Sequence, residues 1–170
     1  AIANMVAHGV MSALFFAMIG YVYEKTHLRS VDELCGLAHQ MPRIAVGFML
    51  AGMASLGLPG LIGFVPEFTI FVGSFGEYPV CAVLAISGII FTALYTLRVL
   101  AKVLFGPRSD KYRDAKGVEL MPLILLGIVL IGFGIFPQLL MGVINSGVEP
   151  LMPLFAQLSD APTLLGGMCK

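Results

Sequence analysis

The sequence contains no tryptophan, little charge and only a few cysteines, and each scarcity excludes something. Charged residues occupy 12% of the 170 positions and hydrophobic residues 58%. A soluble domain carries about a quarter charged residues, so this balance marks a membrane protein. Without Trp, tyrosine is left to mark the membrane interfaces. The cysteines, Cys35, Cys81 and Cys169, show no C-x-x-C spacing and no histidine at ligand distance, which argues against a metal or iron–sulfur site. No phosphate loop, dinucleotide fingerprint, nucleophile elbow or haem motif occurs, so nothing here performs redox chemistry by itself. There is no length for a soluble catalytic domain either: one crossing of about 30 Å of hydrocarbon takes about 20 apolar residues, and four crossings use most of the chain. The chain opens at Ala1 in mid-hydrophobic pattern, with no initiator Met and no basic n-region. No signal peptide is expected, and the sequence reads as the C-terminal piece of a longer polypeptide.

What is present is organised around residues 42 to 78. This stretch is apolar along most of its length, but Gly57, Pro59, Gly60, Gly63 and Pro66 interrupt its middle, and one carboxylate, Glu67, follows the last breaker. Irregular backbone at membrane depth is tolerated only where protein or a hydrated cavity satisfies the freed N–H and C=O groups. Two half-helices joined by an unwound middle, with an ionisable residue at the join, are a transporter device.

The expected fold is all-α, a polytopic transmembrane helix bundle of four spans, one of them discontinuous. Residues 1–23 form the first span, closed by Tyr21 and Tyr23. Residues 43–77 form the second, broken near 57–66; as one continuous helix they would run to roughly 50 Å, too long for a straight crossing. Residues 79–104 form the third and 119–144 the fourth, with a kink expected at Pro137. Residues 1–144 are thus the bundle, and 145–170 are expected to lie along the interface as a tail.

Basic residues set the orientation. Lys25, Arg29 and Arg43 flank the first loop, and Arg98, Lys102, Arg108, Lys111, Arg113 and Lys116 flank the third. The second loop has none and the tail only Lys170. The first and third loops are therefore expected in the cytoplasm, and the C-terminus on the outer face.

Two buried ionisable residues are candidates for chemistry. Glu67 lies about 15 Å in from Glu77, near the midplane. Desolvation favours the neutral acid and a nearby cation the carboxylate, and a group held between the two can load and release a proton. The structural alternative is an acid that merely caps the second half-helix. His8 lies roughly 22 Å from the Tyr23 interface, with Asn4 and Ser12 one turn to either side, so the first helix carries a polar stripe. His8 is either a packing residue or a proton relay; imidazole is the side chain best suited to proton transfer at physiological pH. Arg98 and Lys102 read as snorkelling side chains, with Lys102 a possible opening for protons. His27 and His39 read as solvated loop residues. Ser55, Thr69, Ser87, Thr92 and Thr96 either line a hydrated route or bond back to their own helices. Gly47, Gly52, Ala85 and Gly88 suit close helix contacts.

The segments M-V-A-H-G-V-M-S-A-L-F-F, A-S-L-G-L-P-G-L-I-G-F-V-P-E-F and L-Y-T-L-R-V-L-A-K-V-L-F-G-P resemble the antiporter-like membrane subunits of proton-pumping NADH:quinone oxidoreductase, respiratory complex I. The resemblance covers the chain to about Pro137. It implies an inverted-repeat fold of which this chain supplies the last four spans, with 43–77 as the broken helix of the second repeat. It further implies that His8 is the histidine of a central proton axis and that Glu67 is the acid from which the proton leaves. Related subunits carry Lys at that position, so the acid points to the M (chain 4) type. Pro66 departs from the usual Gly or Ala, and Cys35 from a Gly. The paired Glu and Lys of the first repeat would precede Ala1, so the chain is not expected to pump alone.

The expectation is thus a non-redox, proton-translocating subunit in a bacterial inner membrane. It would hold no cofactor or metal, with NADH, FMN, iron–sulfur clusters and quinone in partner subunits. Its partners would be neighbouring antiporter-like subunits and lipid, with no nucleic acid. A Mrp-type cation/proton antiporter subunit and a membrane-bound hydrogenase subunit are the alternatives.

Overall fold

Prolines punctuate the chain and decide where its helices begin. The computed structural model describes residues 2–31, 33–34, 36–106, 114–115 and 117–153. Seven α-helices occur there: α1 Ile2–Thr26, α2 Leu37–Gln40, α3 Pro42–Ser55, α4 Phe64–Glu77, α5 Pro79–Leu104, α6 Met121–Ile135 and α7 Pro137–Val148. Single 3₁₀ turns precede α6, at Gly117–Leu120, and follow α7, at Glu149–Leu151. Among the described residues there is no strand, as the all-α expectation requires. Helices α3, α5 and α7 each start on a proline, whose fixed φ suits a first helical position and whose missing N–H would have no partner there anyway. The preceding residues, Met41, Tyr78 and Phe136, sit at φ −133, −134 and −116, because the proline ring pushes them out of the helical region.

That effect corrects the expected kink at Pro137. Helix α6 stops at Ile135 and α7 starts anew at Pro137, with Phe136 outside both. Pro137 cannot donate a helical hydrogen bond, and its ring crowds the carbonyl four residues back, so the helix is disrupted there. Helix α7 then runs on through Asn145, where the tail was expected to begin, as far as Val148. Residues 154–170, with Cys169 and Lys170, lie outside the described residues, as do Cys35, Arg108, Lys111, Arg113 and Lys116.

Three described segments are helical, long and apolar enough to cross a membrane: Ile2–Thr26, Pro79–Leu104 and Gly117–Ile135. The stretch at 42–77 is two helices of 14 residues each. Each is about 21 Å long, short of a bilayer core by itself.

Helix α1 is the centre of the bundle. Ala3, Ala7, Met11, Leu14, Met18, Val22 and Thr26 repeat at three- and four-residue steps and are buried, a stripe that packs against α3 and α6. Small residues set the closest approaches: Gly47 of α3 faces Met18 and Leu123, and Gly52 faces Leu100 of α5. The other expected small-residue pair makes no such contact. Gly88 has nothing within 4 Å of where a Cβ would stand, and Ala85 is exposed on α5. Helix α5 exposes Val80, Leu84, Phe91 and Leu94, an apolar outer surface suited to lipid or to a neighbouring apolar subunit.

The first and third loops meet at one end of the bundle. Lys25 Nζ lies 2.6 Å from Glu119 Oε1. The Arg43 guanidinium donates to the Ala115 carbonyl at 3.1 Å, and the Arg43 N–H donates to Asp114 Oδ2, also at 3.1 Å. An acid is thereby placed on the first turn of α3, where the helix dipole favours negative charge.

Between α3 and α4 the backbone is unwound and held by short-range turn hydrogen bonds and one long-range bond. Gly57 N–H donates to Ala54 O at the end of α3, Leu61 N–H to Leu58 O, and Phe64 N–H at the start of α4 to Leu61 O. Ile62 N–H crosses to Leu130 O of α6 at 3.1 Å, with both side chains buried. Gly134 permits this docking: a Cβ there would collide with the Gly60 carbonyl and Leu61 Cα. Backbone atoms cannot turn aside as a side chain can. Gly134→Ala is therefore expected to cost about 1–3 kcal/mol by overpacking and to lower the thermal stability of the assembled subunit. Gly132→Ala, where a Cβ meets nothing within 4 Å, should leave it unchanged; equal losses in the two variants would contradict the docking.

Candidate proton-path site

Glu67 stands on the first turn of α4, one residue after the buried Pro66. Its carboxyl rests against the unwound segment: a Cβ on Gly57 would collide with Glu67 Oε2. Gly57 itself has φ +63, a left-handed conformation that a side chain resists. The carboxyl therefore occupies the space that the glycine leaves. Among the described residues Glu67 does not cap α4. The residue before the helix is Gly63, no side chain bonds the first-turn N–H groups, and the Glu67 N–H is already bonded to Gly63 O at 3.3 Å. Glu67 opens on a cavity of about 270 Å³ formed by α1, the end of α3, α4 and α5. Its polar lining is Asn4, Ser55, Glu67 and Thr92. Asn4 Oδ1 is buried with no hydrogen-bond partner among the described residues.

His8 is one turn along α1 from Asn4. Its Nε2 lies 3.5 Å from Ser12 Oγ, and its ring is exposed among the described residues, not buried as the sequence suggested. His8 lines a second cavity of about 260 Å³, between α1, α3 and α5, with Ser12, Ser55, Tyr95 and Thr96. The two cavities are offset by one turn on both long helices, from Asn4 to His8 on α1 and from Thr92 to Thr96 on α5. Ser55 alone lines both.

The remaining candidates separate. Arg98 and Lys102 line neither cavity. His27 stacks edge-on against Tyr23 with ring centroids 5.9 Å apart, and His39 is exposed. Ser55, Thr69, Ser87 and Thr92 donate to the carbonyls of Gly52, Val65, Leu84 and Gly88 at 2.7 to 3.0 Å. They bond back to their own helices, yet Ser55 and Thr92 also face the cavities. Tyr95, beside His8, had no distinguishing signal in the sequence beyond standing one residue before Thr96. A third cavity, of about 560 Å³, lies nearer the first loop with a mainly apolar lining, and neither His8 nor Glu67 lines it.

The chain is similar to known membrane proteins. The family model described as NADH:quinone oxidoreductase/Mrp antiporter, transmembrane region, matches residues 1–92, which hold the first helix, the interruption, Glu67 and most of α5. The chain belongs to that family. Among curated proteins, NADH-quinone oxidoreductase subunit M of Rickettsia conorii is 35% identical over 159 residues, covering 91% of this chain and 32% of that protein. NAD(P)H-quinone oxidoreductase chain 4 2 of Picosynechococcus sp. is 34% identical over 184 residues, covering 96% of this chain and 35% of that protein. The chain thus spans about a third of the length of these relatives. A chain of respiratory complex I from Thermus thermophilus, solved with bound NADH, superposes with a TM-score of 0.72 at 31% identity, over 83% of this chain and 29% of that one. These similarities place this oxidoreductase/antiporter family member beside the M (chain 4) relatives, as its acid at position 67 implied.

Proposed function

We propose that the chain is the C-terminal part of a proton-translocating membrane subunit of an NADH:quinone oxidoreductase, and that His8 and Glu67 are its proton-relay residues. The carrying observation is the pair of adjoining cavities, one opening on His8 and the other on Glu67, beside an interrupted helix. Electron transfer in partner subunits, which would hold NADH, FMN, iron–sulfur clusters and quinone, changes the electrostatics along this row. His8 then passes a proton toward Glu67, and Glu67 releases it on the outer side. The chain's own part in the enzyme is non-redox. Its fold would be part of an inverted-repeat antiporter-like fold, its neighbours other antiporter-like subunits and lipid, and its location a bacterial inner membrane with the C-terminus outside. The bacterial relatives support that location.

The family description also names Mrp antiporters, which favours a second reading as a cation/proton antiporter subunit that uses no NADH. Membranes carrying the full-length subunit separate the two. NADH oxidation by quinone should drive proton translocation that is lost when the subunit is deleted. Sodium/proton exchange that needs the subunit but not NADH would overturn the proposal.

A further inference from the structure

We infer that the Ser55 hydroxyl is the transfer point between the His8 cavity and the Glu67 cavity, an inference that rests on the relay reading above. Ser55 ends α3, where the helix stops and the unwound segment begins. It is the residue common to the two linings, which otherwise share none. Its Oγ–H donates to Gly52 O at 2.7 Å, which leaves the oxygen lone pairs free to accept a proton. Each cavity has the polar groups and the space to hold water. The volumes are about 270 and 260 Å³, against about 30 Å³ for a liquid water molecule. On the Glu67 side the buried, unpartnered Asn4 Oδ1 calls for such a donor. On the other side Ser12, Tyr95 and Thr96 offer hydroxyls.

The step balances with water as the named co-reactant. A water bonded to the protonated imidazole of His8 takes its N–H proton and gives one of its own to Ser55 Oγ. The Ser55 hydroxyl, having swung from Gly52 O toward a water in the second cavity, breaks its original O–H bond to that water, which delivers one of its own protons to the Glu67 carboxylate. His8 ends one proton poorer and Glu67 one richer, while Ser55 and the waters are unchanged. The hydroxyl then turns back to Gly52 O. Bonding back to a helix carbonyl is ordinarily all that a serine near a helix end does, so the test has to separate the hydroxyl from its structural bond.

The test compares Ser55→Ala, Ser55→Cys and Ser55→Thr with Glu67→Gln, each in the full-length subunit of the intact complex. The rate of NADH-driven proton translocation is read against the amount of assembled complex. Ala and Cys, which lack a hydroxyl, are expected to deliver protons about tenfold more slowly, the scale of one lost hydrogen-bonded link; Thr is expected to restore delivery. Cys keeps the volume, so full pumping in Cys with loss in Thr means that size matters and overturns the inference. Full pumping in Ala or Cys beside loss in Glu67→Gln overturns Ser55 as the transfer point while leaving the relay reading intact. Full pumping in every variant, Glu67→Gln included, overturns the relay reading itself. Should Ser55→Ala fail to assemble, the Cys and Thr pair still decides.

Discussion

Replacing Glu67 by Gln should reduce coupled proton translocation to background while the complex still assembles and electron transfer persists or falls in parallel. Gln has nearly the same shape as protonated Glu, so it can occupy the space that Gly57 leaves and preserve the packing of α4. It cannot take up or release a proton. Glu67 is the ionisable side chain lining its cavity, where the other polar residues are Asn4, Ser55 and Thr92; none of these has a side-chain proton that exchanges as a carboxyl group's does. The effect should therefore be close to complete. The measurement is an NADH-driven pH gradient recorded together with NADH:quinone turnover in the same membranes. A Glu67→Gln complex with wild-type assembly and wild-type proton yield per electron would falsify the relay role of this residue.

The second large effect is expected at Gly57. Gly57→Ala should depress proton translocation several-fold, whereas Gly60→Ala should depress it much less. Both glycines hold positive φ, +63 and +91, so an alanine at either costs about 1–2 kcal/mol of backbone strain. They differ in what a Cβ would meet: Glu67 Oε2 at Gly57, and nothing within 4 Å at Gly60. The pair thus separates strain in the unwound segment from displacement of the carboxyl. Proton yield per electron, normalised to assembled complex, is the readout. Equal losses would show that backbone strain alone matters and that Gly57 does not seat the carboxyl group.

Much of the architecture could be read from local chemistry. A chain this apolar and this poorly charged has few alternatives to a helical membrane bundle, because lipid supplies no hydrogen bonds to an open backbone. Pro42, Pro79 and Pro137 mark helix starts through the geometry of their own rings, and Gly57 and Gly60 mark the interruption through the positive φ they permit. Glu67 stood out because a carboxylate beside such breakers is costly at membrane depth. The break at Phe136 was harder to read, since a proline in an apolar run can bend or stop a helix, and the packing around it selects between the two.

What the sequence determined by itself was the element type, the place of the unwound segment and the two ionisable candidates, since each depends on the covalent nature of a residue and its near neighbours. Only the tertiary structure decided that Ser55 lies between the two cavities, that the Glu67 carboxyl fills the space beside Gly57, and that Gly134 admits the unwound backbone onto α6. Most of those contacts join residues far apart in the chain. Their pairing depends on which helix faces meet and how closely, and that is settled by the packing of whole helices against one another, for which no short stretch carries a signal.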